Sequence, residues 1–173
     1  MFLNRNLFMA HIAELNSDYW NEGADYRWEY MEFAISELRR IGAGTICEAG
    51  ASGIPLCSSS YLMDLPDHNL DKVPYHFIHR SEDKIDRIKI ENKKFDAFVA
   101  LQVWEHLDYP ADAFREVMRI SKSAILSLPY KWTYGDKRHR GIDMAKIAAI
   151  TCNVQPENIR FIKNRIVYTW RFE

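Results

Sequence analysis

The stretch TICEAGASG, residues 45–53, carries the residue types best suited to hold a ligand. Thr45, Ile46 and Cys47 are β-formers or small buried types, and Glu48 closes the run. Gly50 and Gly53 then allow backbone conformations and close approaches that a side chain forbids. A strand that opens into a glycine turn is where an α/β protein holds a nucleotide-like ligand. Gly42 and Gly44 just upstream imitate such a loop, but they follow a helical pattern, so Gly42 reads as a helix stop. Neither glycine set matches G-x-G-x-x-G, which weakens a nicotinamide or flavin reading, and no P-loop lysine follows the turn.

A second set of candidates lies downstream. Glu105-His106 reads as a metal pair, as a catalytic base, or as the anchor of a loop opening the next helix. Tyr130 and His139 fall nearer to where a substrate enters. Lys131, Lys137, Arg138 and Arg140 form a basic run that reads as a site for an acidic substrate or as a solvated loop. His76 and His79 point to opposite faces of a strand and so do not share a metal. No Ser-His-Asp order or nucleophile-elbow pattern occurs. No metal site is expected.

These residues need elements to position them. Leu3, Leu7, Phe8, Ile12 and Leu15 predict an amphipathic helix over 3–16, and a second helix runs to about Arg40. Tyr19, Trp20, Tyr26 and Trp28 cluster around Gly23, either as an aromatic latch on the core or as a lid whose ring faces attract a ligand cation. Arg27 holds a carboxylate or lies at the surface. Residues 54–60, IPLCSSS, are too short and Ser-rich for a crossover helix. Strands are expected over 60–65, ending near Asp64, and over 73–79. Their connection is also short, which leaves a hairpin between them open. Ser81 reads as a helix cap, followed by Glu82 and Asp83 in the first turn. The most continuous buried strand spans 95–103. Asp112 is expected to cap a helix over 113–120, residues 123–128 form another strand, and Asp143 caps a helix reaching Cys152. Residues 158–162 and 166–172 alternate as an antiparallel hairpin around Asn164.

Strands alternating with helices argue for an α/β domain with a mainly parallel sheet and a terminal hairpin. Such sheets bind ligands beyond the carboxyl ends of their strands. The 173 residues suit one domain with a core, read as an N-terminal helical cap over 1–42 and an α/β core over 43–173. A net charge of −1 shows no general pull toward nucleic acid or anionic membrane. Three widely spaced cysteines are not a disulfide framework or a zinc set, so a cytoplasmic location is expected. No apolar run reaches spanning length.

Two motifs resemble the class I S-adenosylmethionine-dependent methyltransferases, especially their small-molecule branch. TICEAGAS resembles the first strand and turn of that family, with an acid two residues before a glycine. The run FDAFVALQVWEHLDYPADAFREVMRISKSAILSLPY resembles its fourth strand, the Glu-His-Leu that follows, the next helix and the fifth strand. The resemblance covers residues 45 to 130 and implies a Rossmann-like three-layer sandwich. It implies S-adenosylmethionine as cofactor, with Glu48, Ala49, Gly50 and Ala51 against its methionine part. It also implies a ribose acid at Asp64 (or Asp67), Ser81 or Glu82 beside the adenine, and Gln102 at the methyl-bearing end. The expected reaction is methyl transfer to a small-molecule acceptor. For a hydroxyl acceptor the candidate bases are His106, Tyr130 and His139. The sequence departs from the family at Ser52 and Ile54, where further glycines are usual, and in the short path to Asp64. Those departures keep a second reading open, a catalytically inactive methyltransferase-like binding domain. No motif fixes the oligomeric state.

Overall fold

A computed structural model describes residues 1–64, 79–81, 85, 89–133 and 137–172. The first helix, α1 (Arg5–Leu15), starts where the Asn4 side chain accepts from Leu7 N at 3.0 Å. A short helix, α2 (Asp18–Asn21), leads into α3 (Ala24–Arg40). The end of α3 is a Schellman turn. Gly42 takes φ +67°, its N–H donates to the Arg39 carbonyl at 3.1 Å, and the Ala43 N–H donates to Leu38 at 3.0 Å. Gly42 is thus the expected helix stop.

Among the described residues seven strands form one sheet. They are β1 (Ile46–Ala49), β2 (Tyr61–Met63), β3 (His79–Ser81), β4 (Ala97–Leu101), β5 (Ser123–Pro129), β6 (Asn158–Ile162) and β7 (Arg165–Arg171), in the order β3-β2-β1-β4-β5-β7-β6. The first five run parallel, and β7 is antiparallel to both β5 and β6. Helices α4 (Pro110–Ile120) and α5 (Met144–Ile150) complete the chain. One face of the sheet buries Phe98, Leu126 and Trp170 with Phe114 and Val117 of α4 and Ile147 of α5. The other face buries Val99, Ile125 and Val167 with Phe8 of α1 and Ile35 and Leu38 of α3. Ile166, Val167 and Tyr168 alternate between these two cores, as the pleat requires. The result is the expected three-layer, mainly parallel sandwich with a terminal hairpin.

The eleven residues 50–60 that join β1 to β2 contain no helix, as expected. The chain's own first residues cover this gap. Leu3 N–H donates to the Leu56 carbonyl at 2.8 Å and Ser58 N–H to that of Met1 at 3.0 Å, with Phe2 and Cys57 in an antiparallel bridge. Leu3, Ile54 and Leu56 join the same core as Phe8.

Several expectations are corrected. β2 and β3 pair in parallel, so they form no hairpin. The third strand ends at Ser81; the helix expected after it, Glu82 included, lies outside the described residues, as do residues 73–78 and Asp67. Helix α4 begins at Pro110, whose fixed φ suits a first helical position, so Asp112 falls inside the first turn and pairs with Arg115. The central strand is shorter than 95–103, because Gln102 turns into the left-handed region at φ +59°. Arg27 is buried, at 6% exposure. Asp143 caps α5 as expected, accepting from Lys146 N at 2.9 Å. Among the described residues no helix is long and apolar enough to cross a membrane.

Candidate functional site

A cleft of about 780 Å³ opens at the carboxyl ends of β1, β2 and β4. This volume is in the range of small-molecule sites. Its floor is the turn after β1, residues Ala49 to Ser52, with Asp64 after β2 and Gln102 after β4. Tyr19, Trp20 and Tyr30 from the N-terminal helices form the opposite wall, and His106 and Arg138 complete the rim.

The turn is held from several sides. Gly50 takes φ +67° and donates its N–H to the Met63 carbonyl at 2.8 Å. A Cβ at Gly50 would lie 2.4 Å from Val103 Cγ2, so this position needs glycine for both conformation and space. Ser52, also left-handed at φ +49°, donates its N–H to Asp64 Oδ2 at 2.8 Å. Its carbonyl accepts from Trp20 Nε1 at 3.2 Å. Asp64 is thereby tied to the turn that it faces, with a carboxylate in the cleft wall.

Glu48 behaves differently. Its side chain is buried, and both oxygens are occupied by the short connection. Oε2 accepts from Leu56 N at 2.7 Å, while Oε1 accepts from Cys57 N at 3.0 Å and from the Ser60 hydroxyl. Burial pushes the Glu48 carboxyl up to about 7, against the opposite pull of these three hydrogen bonds. In this structure Glu48 replaces the missing crossover helix as the organiser of residues 54–60. Glu48 also lines the cleft, where sequence reasoning placed it against a ligand, but that reasoning missed its role in the connection. The signal was present in the serine and backbone donors of a short loop beside an acid in a buried strand.

Gln102 sits at the tip of the central strand. Its left-handed backbone and its N–H bonds to the Ser127 carbonyl (3.0 Å) and Ser127 Oγ (3.1 Å) turn the chain there. Its side-chain Nε2 donates to the same Ser127 Oγ at 3.0 Å. A non-glycine residue held in this conformation is a common mark of a functional turn.

The three candidate bases are not equivalent. His106 ends a 3-10 turn (Trp104–His106) and lies in the cleft wall. His139 packs edge-on against it, with ring centroids 4.8 Å apart, and stacks on Trp132 at 5.6 Å. Tyr130 is outside the wall, packed edge-on against Phe161 at 5.2 Å. Ser81 ends β3 on the same sheet edge. The structure also adds His139 to the pair singled out in sequence: donor atoms of Glu105, His106 and His139 lie within 4.8 Å of one another. Two imidazoles and a carboxylate are a donor set that suits zinc-like ions. The aromatic cluster packs as the latch on the core, and part of it reaches the cleft. Trp20 and Trp28 pack on Phe8 in the core, and Trp20 with Tyr19 also faces the cleft.

Comparison with known proteins agrees with this geometry. Residues 40–124 match the family described as a methyltransferase domain. No curated protein sequence matches the chain. Among solved structures, PH0226 from Pyrococcus horikoshii OT3 is similar over 92% of this chain and 94% of its own, with TM-score 0.67 and 12% identity. The Synechocystis PCC 6803 magnesium protoporphyrin IX methyltransferase with bound SAM covers 86% of this chain and 80% of its own (TM-score 0.64, 13% identity). The N-terminal domain of EvdMO1 with bound SAH covers 83% and 81% (TM-score 0.59, 17% identity). These likenesses concern the fold, while the domain match spans the strand, turn and central strand that build the cleft. The chain thus carries a match to a methyltransferase domain over residues 40–124, on a fold shared with solved structures that hold SAM or SAH.

Proposed function

We propose that this protein binds S-adenosylmethionine in the cleft and transfers its methyl group to a small-molecule acceptor. The observation that carries the reading is the convergence of the left-handed Gly50 turn, Asp64 and Gln102 on one cleft. The donor set fits the cofactor. A carboxylate accepts hydrogen bonds from two ribose hydroxyls, which is the role proposed for Asp64. The backbone of Ala49 to Ala51 faces the methionine part, Ser81 or Glu82 flanks the adenine, and Gln102 lies at the methyl-bearing end. When bound, S-adenosylmethionine supplies a methyl group on a cationic sulfur, which acidic and aromatic surroundings favour.

The residues of the chain then orient the acceptor and exclude water. Tyr19, Trp20 and Tyr30 shield the cleft from the N-terminal side. For a hydroxyl acceptor, His106 is the base, because it lies in the wall, and His139 positions it through their ring contact. Tyr130 takes no part in proton transfer in this reading.

Calorimetric titration with S-adenosylmethionine and with its demethylated product tests the proposal. Micromolar binding that Asp64→Ala weakens at least tenfold is the expected outcome. Binding unaffected by that substitution transfers the ribose role to another acid, with Asp67 the first to try. Absence of binding by folded protein would replace the enzyme reading by that of a binding domain.

A further inference from the structure

Two buried guanidinium groups stand behind the cleft wall, and among the described residues no carboxylate pairs with them. Arg27 of α3 and Arg165 of β7 are each 6% exposed. Neither forms an ion pair with any described residue, and the Nε atom of each is buried without a hydrogen-bond partner. Their polar contacts are neutral: Arg27 hydrogen-bonds the Tyr30 hydroxyl, and Arg165 Nη1 donates to Asn164 Oδ1 at 2.8 Å. Aromatic rings hold them instead. The Arg27 guanidinium lies 3.9 Å from the Tyr19 ring centroid and 5.2 Å from that of Tyr26. That of Arg165 lies 4.3 Å from Tyr26 and 5.0 Å from Trp132.

Rings and cations therefore alternate in one stack, Tyr19, Arg27, Tyr26, Arg165, Trp132, and His139 and His106 continue it to the cleft wall. The stack joins two segments that the sequence marked separately, Arg27 and the basic run 131–140. It runs immediately behind Tyr19 and Tyr30 of the wall, and Arg138 of the same basic run lines the cleft itself. Ring faces stabilise a guanidinium above and below its plane but leave its edge donors unused. A buried cation is costly without an anion, and an anionic ligand would lower that cost. Asp64, assigned to the cofactor, and Arg138 both line the cleft.

We propose that the acceptor carries an oxyanion, a carboxylate or a phosphate, that seats against Arg27 and Arg165 with Arg138 on the open side. This deepens the proposed function and rests on it for the word acceptor, but not for the anion site. The site orders the acceptor by bidentate, charge-assisted hydrogen bonds, so a neutral analogue of the same shape binds far more weakly.

The test is calorimetric titration of the full chain with inorganic phosphate and with succinate at constant ionic strength, sodium chloride being the control. Each titration is run with and without S-adenosylhomocysteine, whose own affinity is measured in parallel. Saturable binding of phosphate or succinate is expected, and whichever binds identifies the oxyanion. Arg27→Gln and Arg165→Gln should weaken it at least tenfold, and the exposed Arg138→Gln about fivefold. Anion binding no stronger than chloride overturns the proposal, as does undiminished binding in folded Arg27→Gln or Arg165→Gln protein. If those two variants do not fold, Arg138→Gln decides: weakened binding supports the site and unchanged binding overturns it. Oxyanion binding in a protein without affinity for S-adenosylhomocysteine supports the site while removing the methyltransferase reading.

Discussion

Single residues in the turn carry testable burdens. Gly50→Ala adds a methyl group 2.4 Å from Val103 Cγ2 and forces it to φ +67°, which should cost about 2 kcal/mol. Adding Val103→Ala should recover the packing part of that loss but not the conformational part, so urea unfolding of the double variant should fall between the wild type and Gly50→Ala. Full recovery would mean that the backbone conformation is not strained. Glu48 makes a prediction about pH. Burial raises its carboxyl from 4.5 to about 7, so the folded state holds the proton more tightly than the unfolded state. That contribution to stability is complete below pH 4.5 and is lost as pH rises through 7. It amounts to about 3 kcal/mol. Glu48→Gln should flatten this part of the pH profile of stability between pH 5 and 8. An equal slope in both proteins would assign the titration to another group.

At the scale of elements, the helix ends show what sequence can specify. The Gly42 turn was readable because helical periodicity stopped at two arginines and a glycine. No atom lies within 4 Å of a Cβ built on Gly42, so Gly42→Ala should cost only the left-handed backbone term, about 1 kcal/mol. A thermal midpoint lowered by more than 10 °C would show that the turn does more than end a helix. The start of α4 departs from the expectation at Asp112 because Pro110 sets the first turn. The missing crossover helix was readable from the serines and the short spacing. Its substitute was not, since the contact of Phe2 with Cys57 joins residues 55 positions apart. The pairing of β2 with β3 was undetermined too: the sequence allowed a hairpin or a parallel pair, and the two strands pair in parallel. Much of the candidate cleft was readable, since Gly50, Asp64 and Gln102 each follow a strand. The meeting of His106 with His139 and of Arg27 with Arg165 was not, because aromatic stacking between distant segments leaves no periodic trace.

For the molecule as a whole, the N-terminal helices act as part of the sandwich. Phe8 and Ile12 of α1 and Leu3 before it are almost fully buried against the sheet face that the short connection leaves thinly covered. Exposing each such side chain costs about 1.5–3 kcal/mol. Removal of residues 1–16 should therefore bring the protein close to its unfolding threshold and expose dye-binding apolar surface, as read by circular dichroism melts and fluorescence of a hydrophobic dye. A truncated protein melting within 5 °C of the intact chain would show that the sheet face is stable alone. The indole of Trp20 belongs to this cover and also bonds the Ser52 carbonyl in the turn at 3.2 Å. It is thus an optical probe built into the floor of the cleft. Its emission should respond whenever the turn changes position, and the difference spectrum between wild type and Trp20→Phe would isolate that signal from the other four tryptophans. Ligand arrival can then be timed by stopped-flow fluorescence on unlabelled protein, before any acceptor has been identified.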